Sequence, residues 1–251
     1  MDFSLYSFEV FLFSVAIVAG FIDTLAGGGG IITLPALMLS GASPLSVLGT
    51  NKLQGSVGTA TATYMMFKSN RLKWHEVKYL MLFSFIGATI GAVFVHFVNV
   101  DVLNFLIPLV LILISIYFLF APKSHEKSHL PVISGKKYRN YVVPSIGCYD
   151  GMFGPGTGSF FSSAAASLRG LGFIEATVYA KGLNFSSNIA ALTVFIFTGE
   201  VIWLIGLAMM MGQVIGAWLG VHCLFKINPT YLRIIVVIMC MSMLLKFWLN
   251  Q

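Results

Sequence analysis

The sequence predicts an all-α polytopic membrane protein made of two homologous, inverted repeats. Three observations predict it. Of the 251 residues, 57% are apolar and only 10% charged, with a mean hydropathy of +0.88. A soluble globular domain carries about 25% charged residues, so this chain cannot cover a water-facing surface. The apolar residues fall into runs of membrane-helix length separated by short loops. And a carboxylate followed by a glycine knot occurs twice, about 127 residues apart: Asp23-Thr-Leu-Ala-Gly27-Gly28-Gly29-Gly30, then Asp150-Gly-Met-Phe-Gly154-Pro155-Gly156-Thr-Gly158.

Taken in order, the apolar runs lie at roughly 5–26, 31–49, 51–67, 79–99 and 102–121, then 140–153, 157–168, 174–198, 201–224 and 230–249. Seven meet the length of about 20 residues that a bilayer needs, and the run at 140–153 is short but spans. That gives eight full spans. The runs at 31–49 and 157–168 are too short or too interrupted and are read as broken or re-entrant segments. The first run follows Met1-Asp2 and has no basic n-region, so it is read as a retained helix and not as a cleavable signal.

The glycine knots are not soluble phosphate loops: no P-loop lysine follows, and no G-x-G-x-x-G sits on a βαβ unit. In a bilayer a glycine run breaks a helix, and the freed backbone must be satisfied by protein or by a water-filled cavity. Broken segments in matching places of two halves point to a transporter's binding site.

Three anchors mark the repeat. They are the Asp-plus-glycine knots, then Asn51-Lys52-Leu-Gln54 against Ala180-Lys181-Gly-Leu-Asn184, then Gly87-x-x-x-Gly91 against Gly212-x-x-x-Gly216. Their offsets are about 127, 129 and 125, a nearly constant register. The chain divides into a first repeat at 1–121, a basic linker at 122–139 and a second repeat at 140–251. Lys68, Arg71, Lys73, Lys78, the linker's Lys123, Lys127, Lys136, Lys137 and Arg139, and Arg169, Lys226 and Arg233 all face the cytoplasm if each short segment crosses back. The halves are then inverted and both termini lie outside. The rival has re-entrant short segments and parallel repeats, and it puts Lys226 and Arg233 outside.

Lys52 and Lys181 are the lysines placed inside the bundle. A charge at membrane depth is costly and reads as functional; the alternative is snorkelling to an interface. Asp23 and Asp150 have the same standing, as proton carriers, lysine partners or caps on broken backbone. Gly28, Gly29, Gly30, Gly154, Gly156 and Gly158 would free N–H groups at half-helix starts, where an anion is favoured. Asn51, Gln54 and Asn184, with Ser56, Ser186, Ser187 and Asn188, add neutral donors. Gly212, Gly216 and Gly220 read as packing. Cys148, Cys223 and Cys240 read as small buried hydrophobes. His96 and His222 have no ligand partners. No metal and no cofactor is expected, and no nucleic-acid partner, because the basic residues lie in short loops between apolar runs.

The paired Asp/Gly motifs, Thr50-Asn51-Lys52-Leu-Gln54 and Ala180-Lys181-x-x-Asn184 resemble the TauE/SafE family, also called the sulfite exporter or 4-toluene sulfonate uptake permease family. The resemblance covers nearly the whole chain. It implies a bacterial inner-membrane carrier of small anions, often organic or inorganic sulfur compounds such as sulfite or sulfonates. The second knot, Gly-Pro-Gly-Thr-Gly, departs from a plain glycine run. The expected function is a secondary anion transporter whose partners are the bilayer, a small anion and a coupling proton. A passive anion channel could use the same residues. An intramembrane enzyme lacks its motifs here: there is no H-E-x-x-H and no G-x-S-x-G.

Overall fold

The computed structural model describes residues 5–120, 130–224 and 229–249. The linker positions 121–129 and Lys226, which carry part of the orientation reading, lie outside the described residues. Every described element is helical: α1 (Leu5–Ala26), α2 (Gly29–Met38), α3 (Pro44–Lys68), α4 (Trp74–Val95) and α5 (Val100–Phe120) precede the linker. After it come a single turn, α6 (Gly135–Lys137), a π-helical turn (Tyr138–Val142), α7 (Val143–Met152), α8 (Thr157–Arg169), α9 (Phe173–Phe197), α10 (Trp203–Cys223) and α11 (Pro229–Leu249).

Four of the described helices are long and apolar enough to cross a bilayer unaided: α1, α4, α5 and α10. Apolarity does not mark α3 and α9, although each has 25 residues. They are inner helices, and their polar side chains face protein, not lipid. Lys52, Gln54, Ser56 and Thr59 are buried on α3, and Lys181, Asn184, Ser187 and Asn188 on α9. The expected break between the second and third runs, near residue 50, lies earlier. α2 ends at Met38, and Ser43 caps α3 by accepting a 3.2 Å bond from the Ser46 N–H, with Pro44 in the first turn. Lys52 therefore sits well inside a helix.

The two short segments are half-helices. α2 has 10 residues and α8 has 13, so at 1.5 Å per residue they rise about 15 and 20 Å, against a hydrocarbon core of about 30 Å.

The two sides of the linker interlock. α1 packs along α10, α4 along α7, and α3 lies against both α9 and α10. The small residues expected to serve packing do so. A Cβ on Gly91 would meet the Cys148 backbone of α7, and one on Gly216 the Ile17 backbone of α1. The glycines let these helix pairs touch backbone to backbone.

α3 and α9 run antiparallel. Ser46, in the first turn of α3, donates a 2.6 Å bond to Glu200, just past the end of α9. Near the start of α9, Tyr179 donates 2.5 Å to Glu76, in the first turn of α4 and one short loop beyond the end of α3. At the Glu76 end, Tyr138, Arg139, Arg169 and Tyr179 gather around one cleft, and Arg169 donates to the Ile133 carbonyl at 2.6 Å.

Candidate functional site

The chain turns from α1 into α2 at Gly27, whose φ is +75°, and from α7 into α8 through Gly154 (φ +92°) and Gly156 (φ +75°). These are left-handed positions that glycine adopts without strain. The two turns touch: Gly27 lies against Gly158 and Ser159, and Gly30 against Pro155 and Gly154. Ser159 ties them by donating its hydroxyl to the Ala26 carbonyl.

Each turn carries one aspartate, and each aspartate pairs with the lysine from the other side of the linker. Lys52 on α3 bonds Asp150 on α7 at 2.8 Å, with the two side chains 1% and 2% exposed. Lys181 on α9 bonds Asp23 on α1 at 3.1 Å, with 1% and 17% exposure. Both lysines are the ninth residues of 25-residue helices. Neither ammonium reaches the protein surface, as a snorkelling side chain would. Two ion pairs out of water are costly unless geometry and further hydrogen bonds compensate.

The compensation is unequal. Asp23 uses both carboxylate oxygens: Oδ1 accepts 3.1 Å from the Gly29 N–H, capping α2, while Oδ2 takes the lysine. Lys181 also donates to the Asp23 carbonyl. Asp150 accepts from Lys52 through Oδ1, and its buried Oδ2 has no partner among the described residues.

Between the pairs lies a polar cavity of about 30 Å³, room for a water molecule or two. Of the residues singled out in the sequence, Asp23, Gly29, Gly30, Asn51, Gln54, Asp150, Gly154, Gly158 and Asn184 line it. Gly28 backs onto the Phe118 ring and Gly156 onto Ile114, and neither lines the cavity. Ser56, Ser186 and Ser187 bond backbone carbonyls instead of facing the space. Asn188 does line it, donating 2.8 Å to the Asn184 carbonyl.

The amides are held in a fixed array. Thr33 donates 2.6 Å to Asn51 Oδ1, and Gln54 Nε2 donates 2.8 Å to the same oxygen. Gln54 Oε1 is left buried without a partner. Sequence reasoning missed Thr33, Thr59, Thr157 and Gln213. Gln213 had a signal: it is the one amide in the otherwise apolar and small-residue run of α10, and a polar side chain at membrane depth earns a functional reading by default.

The sulfite exporter TauE/SafE family matches residues 12–247. The chain belongs to that family. Among relatives of the TauE/SafE chain, a probable membrane transporter protein of Haemophilus influenzae is 36% identical over 240 residues, covering 96% of this chain and 94% of that one. The probable membrane transporter protein ORF9 of a Sinorhizobium species is 44% identical over 210 residues, 84% and 80% of the two chains. The probable membrane transporter protein YfcA of Escherichia coli K12 is 40% identical over 227 residues, 90% and 84%. No solved structure matches significantly. The TauE/SafE membership, the relatives' names and the apolar helices together make this chain a transmembrane transporter.

Proposed function

We propose that the chain is a secondary transporter of small anions, sulfur-containing ones such as sulfite or sulfonates among them, working by alternating access in the bacterial inner membrane. One observation carries the reading. Two lysines are buried behind one polar cavity that their aspartate partners line but the lysines do not, at the meeting point of two broken helices, and each is held by an aspartate from the other side of the linker. Positive charge at that depth has no structural necessity; hydrophobic residues of similar volume would hold the helices together as well or better. An anion, in contrast, needs such charge to replace its water. The family's name, sulfite exporter, supports that substrate class.

The two sides of the linker act in this reading as inverted repeats. Support comes from the exchange of partners: α1 with α10 mirrors α7 with α4, and α3 and α9 cross antiparallel. Rocking one repeat against the other would open the cavity to each face in turn. A space of about 30 Å³ suits an occluded carrier better than an open pore.

Counterflow of radiolabelled sulfite and of sulfonates in proteoliposomes tests the function. Saturable exchange is the expected result. Counterflow by a neutral or cationic solute alone would overturn the anion reading. The orientation has its own test. With the basic end in the cytoplasm, Asn99→Cys reacts with an impermeant thiol reagent in intact cells and Lys136→Cys reacts only after lysis. Both positions are exposed, so the reverse pattern would sink the orientation.

A further inference from the structure

We infer that Asp150, and not Asp23, carries the coupling proton, and that its protonation hands Lys52 over to a monovalent anion. The inference rests on the anion-carrier reading and names its coupling residue.

The two carboxylates differ in what a proton would displace. Both oxygens of Asp23 are engaged, by the Gly29 N–H and by Lys181. A proton there would disrupt a helix cap and an ion pair together. Asp150 is more buried, yet its Oδ2 has no partner among the described residues while Oδ1 holds Lys52 at 2.8 Å. A buried carboxylate oxygen without a donor is under-compensated, and Asp150 lines the cavity. It can gain a proton without first losing a bond. A second unpartnered acceptor, Gln54 Oε1, belongs to another lining residue. The space therefore calls for hydrogen-bond donors.

Charge sets the stoichiometry. Two lysines and two aspartates sum to zero. An anion entering alone leaves one uncompensated negative charge among buried groups, which is costly. An anion entering with one proton leaves the sum at zero. Among the described residues, the two aspartates are the ionisable side chains that line the cavity. Lys52 of α3 faces Asp150 directly, and Asp23 and Lys181 form the second pair. The α4 stretch packed on α7, Ser84 to Ala92, has none. Tyr149 donates its hydroxyl to the Pro155 carbonyl. From α8, Thr157 lines the cavity, and it is not ionisable.

The step balances as follows. A proton from water bonds to Asp150 Oδ2. The Lys52 ammonium keeps its own protons and exchanges the carboxylate for the anion. On the far side the anion leaves, Asp150 returns its proton to water, and the carboxylate recovers Lys52.

Methanesulfonate is the probe, because a sulfonate stays ionised across the working pH range and carries no proton itself. In proteoliposomes of the wild-type chain, an acid-outside gradient should drive its accumulation with one proton entering per anion, read by an internal pH dye. A potassium diffusion potential should not drive it. Where uptake is proton-linked, the apparent KM should rise about tenfold per pH unit, as binding linked to one proton requires. Asp150→Asn should lose both the proton entry and the slope. Asp23→Asn should lower the folded yield, with the slope still present in the protein recovered. Potential-driven, pH-independent accumulation by the wild type, or a slope that survives in Asp150→Asn, would overturn the inference and leave the anion carrier standing. Absence of saturable counterflow with both methanesulfonate and sulfite would overturn the carrier reading and this inference with it.

Discussion

Lys52→Met should destabilise the protein by about 3–5 kcal/mol and abolish transport, because it strands the Asp150 carboxylate in a buried site. That carboxylate has nothing else to turn to: Lys52 is its one recorded bond among the described residues, and its second oxygen is already unpartnered. For a chain of this size the loss should lower the unfolding midpoint by roughly 6–20 °C, measurable in detergent by intrinsic fluorescence. Lys181→Met should cost less, since Asp23 keeps the Gly29 N–H. The decisive variant is the double one. Lys52→Met with Asp150→Leu removes both charges at similar volume and should restore most of the stability, because a buried pair seldom stabilises more than well-packed apolar groups. Transport should stay absent. A double variant that transports anions normally would reduce the pair to a structural clasp.

The second large effect belongs to Gly27→Ala. Its φ of +75° alone costs an L-residue about 1–2 kcal/mol. The added Cβ would also overlap the backbone of Gly158 and Ser159, and backbone cannot rotate away as a side chain can. The two turns would have to separate, and with them the walls of the cavity. Gly41→Ala is the matched control. Gly41 has nearly the same φ, +70°, but a Cβ there meets nothing within 4 Å. Gly41→Ala should fold and transport with a stability loss of about 1–2 kcal/mol, whereas Gly27→Ala should leave little folded protein in size-exclusion chromatography. Equal behaviour of the two would show that the contact between the turns does not matter.

How far the sequence carries depends on the kind of information each feature needs. The apolar runs and the two Asp/Gly turns are local signals, and the helices follow them in order. The end of α2 was misplaced because the run from Ile31 to Gly49 stays mostly apolar across it; the punctuation was Ser43-Pro44, a helix start. α3 and α9 could be named as spans, but hydropathy could not show that their polar faces turn inward. The two lysines and two aspartates could be nominated from their depth. Which lysine meets which aspartate is a tertiary fact, and either assignment fits the spacing. The difference between Asp23 and Asp150 is further out of reach, because it turns on the Gly29 N–H reaching one carboxylate and no group reaching the other's second oxygen. Gly28 and Gly156 show the limit from the other side: in sequence they match their neighbours in the knots, and only the fold separates a glycine beside Phe118 from one facing the cavity.

The exchange of partners across the linker bears on how the molecule is made. α1 finds its main neighbour in α10, so it waits for a helix made much later. Synthesis of the intervening residues 27–202, at 5–20 residues per second, takes on the order of 10–35 s. Through that interval the face of α1 that will meet Gly212 and Gly216 has only lipid, the insertion machinery or a chaperone against it. Closure of that face is therefore a late step of assembly in the membrane. A chain truncated before Trp203 should be inserted yet remain a substrate for membrane proteases.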